Sequence, residues 1–139
     1  MTPKEYLNQA YWLDRRINSK LAQLSALQEM VTKTTSIMSN HVVSRTRNVH
    51  SMEDVMARII DMQAEINGDI DRLVNLKREI MQAVKAVDNP ELQTLLELRY
   101  LCFMDWPDIA SEMHCSESNV YKVHSRALRA VRVPKLDSK

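Results

Sequence analysis

Glycine occurs once in 139 residues, as Gly68, and proline four times. A chain so poor in glycine offers no phosphate-cradling glycine loop and few tight hairpin turns. No stretch alternates convincingly between apolar and polar residues, so no sheet is expected. Long hydrophobic runs are missing as well. The longest, Tyr100 to Met104, is far too short to cross a bilayer. The N-terminal Met-Thr-Pro-Lys-Glu lacks the apolar core of a signal peptide. The two cysteines, Cys102 and Cys115, fall in one short segment, and nine methionines are scattered along the chain. That usage suits a reducing cytoplasm and not a disulfide scaffold. A formal charge of +1 excludes a polycation. The expectation is a cytoplasmic protein with no membrane partner.

What remains is rich in Leu, Ile, Met, Ala, Glu, Lys, Gln and Arg, which favour helices. The expected fold class is all-α. From about Pro3 to Met38, Leu13, Ile17, Leu21, Leu24, Leu27 and Val31 recur in steps of three or four. From about Met52 to Val87 the same steps connect Met52, Met56, Ile59, Met62, Ile66, Ile70, Leu73, Leu76, Ile80, Val84 and Val87. Seams this long predict two coiled-coil helices, each roughly 50 Å in length at about 1.5 Å per residue. Between them Ser39–Ser51, with His41 and His50, is polar and reads as a loop. Ser51 with Asp54 three residues on reads as a helix start. The simplest arrangement of residues 1–88 is a long antiparallel helical hairpin. Ile60, Val74 and Met81 widen the second stripe beyond what one helix covers, and Tyr6, Tyr11 and Trp12 add apolar surface to the first. A homodimer, two hairpins packed as a four-helix bundle, would bury this surface. A C-terminal domain folded back on the hairpin is the alternative.

Asp88-Asn89-Pro90 punctuates the chain, with Asn89 suited to an N-cap and Pro90 to a first helical position. Residues 89–133 then predict a three-helix domain, and 134–139 a C-terminal tail. One helix runs from Pro90 to about Phe103, with Leu92, Leu95, Leu96 and Leu98 apolar. Asp105 and Pro107 open the next. Ser116 caps the last, which reaches about Arg132 before Pro134 stops it. Ile109, Ala110, Met113, Cys115, Val120 and Val123 have the spacing of a helix-turn-helix core. That core leaves Ser118, Asn119, Tyr121, Lys122 and Ser125 facing outward, able to reach base edges in a major groove. No acidic residue occurs from Asn119 to Lys135, while Lys122, Arg126, Arg129, Arg132 and Lys135 do. Arg126, Arg129 and Arg132 suit phosphates. With Ser116 at the helix start, these residues form the candidate DNA-binding set. An ordinary solvated face, or for Arg126 a helix-end salt bridge, is the plainer reading.

At Leu98-Arg-Tyr-Leu, Trp106, Ile109-Ala110, Met113, Ser116, Val120, Val123, Arg126-Ala-Leu and Val131-Arg132 the chain resembles region 4 of the sigma-70 family. That region is the helix-turn-helix with which a sigma factor reads the promoter −35 element. The resemblance covers about residues 90 to 133. It places the base-reading positions on Ser118, Tyr121 and Lys122. Sigma factors favour Glu and Arg at the first two, so the resemblance does not carry over a −35-like target. Nothing resembles the sigma region that melts DNA, so the chain is no complete sigma factor. The usual glycine of the turn is replaced by His114, a residue that tolerates positive φ better than most. The whole chain, including Lys4-Glu-Tyr-Leu-Asn8 and Leu73-Val-Asn-Leu-Lys-Arg-Glu-Ile80, is similar to an uncharacterised family of prophage-encoded proteins of Gram-positive bacteria. The resemblance implies a DNA-binding transcriptional regulator acting on double-stranded DNA in a bacterial host, with host RNA polymerase as a further candidate partner.

Other chemistry finds little footing. Cys102, His114, Cys115 and His124 lack the paired spacing of a structural zinc site, and both cysteines read as small core residues. Asp69 and Asp71 lie on different helix faces, while Asp105 and Asp108 suit a cap and a first-turn charge. Trp106 reads as packing at the helix junction. No enzyme, metal or cofactor is expected. Two other functions share these parts: a protein-interaction module working through the hairpin, and a DNA-packaging recognition subunit.

Overall fold

The computed structural model describes the backbone of residues 1–40 and 45–134, and the side chains of residues 1–33 and 52–134. Among them it is all-α, with five helices, one π-helical stretch and no strand. Helix α1 spans Pro3–Asn40, α2 Arg45–Lys85, α3 Pro90–Leu96, α4 Trp106–Glu112 and α5 Glu117–Ala130. Glu97–Leu101 continues α3 with π-helical geometry. No described helix is long and apolar enough to cross a membrane.

The loop expected over Ser39–Ser51 is largely helix, since α1 continues through Asn40 and α2 begins at Arg45. The helix start expected at Ser51 and Asp54 therefore lies inside α2. The stretch holds no glycine or proline to stop a helix, and its Ser, Thr, Asn, His and Val cost only about 0.7 kcal/mol or less each. His41, the side chain of His50, Lys135 and the tail beyond Pro134 lie outside the described residues.

Two compact units divide the chain: Arg15–Arg72, and Met1–Asp14 together with Leu73–Lys139. Compactness thus parts the chain elsewhere than at Asp88–Asn89. In Arg15–Arg72, Ile17 and Ile66 are buried, while Leu24 and Leu27 are half-buried. Lys20 Nζ lies 2.6 Å from Asp69 Oδ2 and 3.6 Å from Glu65 Oε2. Arg72 bonds the other Asp69 oxygen. The hydrogen bonds from Lys20 and then Arg72 hold this buried carboxyl below the ordinary carboxylate range. Asp71 is exposed, as its place on a different face requires. Within the expected seams, Leu21, Met56 and Ile70 remain exposed.

The second unit has one continuous core. Tyr6, Leu7 and Ala10 of α1 join Ile80 and Val84 of α2, and Leu92, Leu95 and Leu96 of α3. Val87, Tyr100, Ile109, Ala110, Val120, Val123, Ala127 and Val131 complete it. Asn89 Oδ1 accepts from the Glu91 and Leu92 N–H groups at 2.9 and 3.2 Å, which fixes the start of α3. Gln93 Nε2 donates to the Lys85 and Val87 carbonyls at the end of α2. At the close of the π-helical stretch the Cys102 N–H donates to Glu97 O, and Phe103 takes a φ of 57°. Cys102, expected in the core, is exposed. The π geometry adds a residue to the turn and rotates the residues after it out of the 3.6-residue register.

Candidate nucleic-acid interface

Helix α4 stops where the sequence places its turn. The Cys115 N–H donates to Ala110 O and the His114 N–H to Ser111 O, at 3.0 and 3.2 Å. His114 adopts φ 55°. These two bonds, with one left-handed residue, are a Schellman ending, and here histidine fills the place glycine usually takes. Ser116 then starts α5, its Oγ accepting from the Asn119 N–H at 3.1 Å. Asp105 occupies the N-cap of α4 but makes no side-chain cap bond, contrary to expectation. Pro107 removes the N–H at the second helical position, one of the donors a cap accepts from.

Helix α5 has two distinct sides. Val120, Val123, His124 and Ala127 are buried and Leu128 is half-buried. Ser118, Asn119, Tyr121, Lys122, Ser125, Arg126 and Arg129 are exposed, as is Ser116 before them. At about 100° per residue the seven helical positions share an arc of about 160°, with Ser118, Lys122 and Arg129 near its middle. The helix carries one acid, Glu117, in its first turn, where it suits the dipole. Among the described residues Arg126 makes no ion pair, so its charge is free. Arg129 Nε donates to Ser125 O within the helix at 3.3 Å. Arg132 is exposed beyond the helix end.

The buried side of α5 holds a polar group that its apolar spacing conceals. His124 Nε2 and the Tyr100 hydroxyl are 2.6 Å apart, and both residues are buried. Burial first, then the positive charges of Lys4 and Arg99, bring His124 down to about 4. Burial pushes Tyr100 up to about 12. Both groups are neutral near neutral pH, and one hydrogen bond joins them. This bond pins the middle of α5 to the π-helical stretch.

Trp106 packs the helix junction, as expected, and does more than fill space. Its ring meets Tyr121 edge-on at 5.4 Å and His124 at 4.6 Å. The Arg99 guanidinium lies 4.4 Å from the Trp106 ring centroid, and its Nη1 donates to Met104 O at 2.9 Å. Tyr121 is thus half-exposed with one edge of its ring held, so its hydroxyl is displayed from a fixed position. Sequence periodicity found Tyr121 but not this brace, because the contact joins two helices. Among the described residues, no three His, Cys, Asp or Glu side chains converge as a metal site would require.

A model of a family of proteins of unknown function, DUF1492, matches residues 33–132. No curated protein and no solved structure gives a match.

Proposed function

The chain belongs to the DUF1492 family, and from that premise we propose that it is a DNA-binding transcriptional regulator whose α5 enters the major groove. The observation that carries this reading is the two-sided α5. Its cationic and hydrogen-bonding arc is exposed, while its opposite side is anchored by Val120, Val123, Ala127 and the Tyr100–His124 bond. A firmly held helix with an acid-free outer arc is suited to positioning by phosphates and reading by base edges. Ser118, Asn119, Tyr121, Lys122 and Ser125 are the base-facing set. Arg126, Arg129 and Arg132 are the phosphate set, and Ser116 fixes the helix start. The sigma-like spacing of the segment supports the same reading and, with it, a regulator carried by a prophage in a bacterial host.

The test separates the two sets. After selection of a binding sequence, Lys122→Ala or Tyr121→Phe should weaken that site by about 1–3 kcal/mol and leave random DNA nearly unaffected. Phe keeps the ring against Trp106, so the packing survives. Arg126→Ala and Arg129→Ala should weaken all sequences and lower the salt slope by about one unit each. A folded wild-type protein that binds no DNA at low salt defeats the proposal.

A further inference from the structure

Helix α2 carries two seams, offset by one residue. The first includes Ile59, Met62, Ile66 and Asp69, which are half-buried or buried. The second begins at Glu53 and Met56, continues through Ile60, Gln63, Asn67 and Ile70, and ends at Val74 and Lys77. It keeps the alternating steps of three and four that define a coiled-coil seam. Yet its apolar members face water, Ile60 at 64% exposure and Ile70 at 41%. An offset of one residue turns a face by about 100°. That is close to the right angle at which a helix of a four-helix bundle meets its two neighbours.

Read from either end, the second seam runs charged, apolar, apolar, amide, with the acid at one end and the base at the other. Laid antiparallel on a second copy, with the two-fold axis between Gln63 and Asn67, it sets compatible groups together at every level. Gln63 meets Asn67 of the second copy, amide to amide. Ile60 meets Ile70 and Met56 meets Val74, apolar to apolar. Glu53 meets Lys77, acid to base. Slid by one heptad, the same seams would set Met56 against Asn67 and Ile60 against Gln63. Run parallel, they would match Asn67 with itself but set Glu53 against Glu53 and Lys77 against Lys77. Lys77 already lies over the Phe103 ring, 4.7 Å from its centroid, so the inner pairs fix the register. Ala57 and Ala64 flank the seam and let the helices approach.

We propose that the chain forms a homodimer through this face, α2 against α2, antiparallel and in the register that pairs Gln63 with Asn67. The partner is a second copy because the face is complementary to itself. The inference is independent of DNA binding, and its test reads assembly alone.

Sedimentation equilibrium of the full chain should give twice the chain mass at tens of micromolar. Ile60→Glu and Ile70→Lys should each weaken association by about 100-fold, because either places an unpaired charge in the seam. Combined in one chain, the two substitutions should restore it, since each introduced carboxylate then meets an introduced ammonium. In an Ile60→Cys, Ile70→Cys variant, oxidation and peptide mapping should yield links between positions 60 and 70. Ten residues of helix separate these positions by about 15 Å, so such a link cannot form within one chain. A monomeric wild type overturns the proposal and hands the face to a different protein. Links of 60 to 60 and 70 to 70 overturn the antiparallel register.

Discussion

Between Arg15 and Arg72 the described side chains bury Ile17, Ile66 and Asp69 and leave Met56, Ile60 and Ile70 in water, whereas the unit of Met1–Asp14 and Leu73–Lys139 encloses a continuous core from Tyr6 to Val131. The same helix formers and the same three-and-four spacing serve both regions. The difference lies in the number of helices available to each. The core unit draws on five helices, so apolar residues meet neighbours on several sides. Arg15–Arg72 draws on parts of two, and among the described residues Met56, Ile60 and Ile70, one step off the buried seam, stay exposed. Periodicity states which face of a helix is apolar; the number of neighbours decides how much of that face is dry.

The largest expected effect tests this contrast directly. Leu95 is fully buried in the core unit and Leu24 only half-buried in the other. Leu95→Ala should cost about 2–5 kcal/mol, the range for a cavity in a packed core, and Leu24→Ala no more than about 1–2 kcal/mol. Urea denaturation followed by hydrogen exchange resolves the two. Equal costs would mean that the Arg15–Arg72 seam is as tightly packed as the core.

A second contrast concerns the buried polar groups. The ordinary value for His124 is 6.5, and in the folded chain it is about 4. Folding therefore excludes a proton that the unfolded chain accepts between those values. Stability from this group is complete above pH 6.5 and is lost as pH falls toward 4, by up to about 3 kcal/mol. Asp69 is shifted down as well, but from a lower ordinary value. Its value is lowered from 3.8, so its contribution persists through that window and is lost only as pH falls further. At about pH 5, amides of α5 should exchange faster while those around Lys20 and Asp69 stay protected. His124→Gln should flatten the dependence of α5. If both regions loosen together, the His124 account is wrong.

Much of this was legible in the chain itself. Asn89-Pro90 and Ser116 marked helix starts because caps act through neighbouring backbone N–H groups. Ile109, Ala110, Val120 and Val123 were legible as core because each helix repeats its face. The exposed residues of α5 followed from the same periodicity. The features that stayed hidden depend on contacts between distant residues. Lys20 and Asp69, or Tyr100 and His124, are ordinary polar residues until the fold brings them together. Phe103 gave no warning of its left-handed backbone, since an aromatic residue seldom adopts it. Cys102 was misplaced because the π-helical stretch shifts the register that periodicity assumes.

The smallest effect isolates the backbone from packing. Gly68 lies within α2, in the sparsely buried region, and is exposed. Beyond its chain neighbours and its own helix backbone, a Cβ there would meet no atom of the described residues within 4 Å. The position therefore carries the entropic cost of glycine without the close approach that would justify it. Gly68→Ala should stabilise the chain by about 0.5–1 kcal/mol, mainly by restricting the unfolded state. The gain should appear as a higher melting temperature, with DNA binding unchanged. Position 68 also lies off the seam proposed for the dimer, so association should not change either. A destabilised variant would show that something packs against Gly68 that the chain alone does not supply. Unchanged stability with lost DNA binding would instead show that α2 must bend at Gly68 for the protein to act.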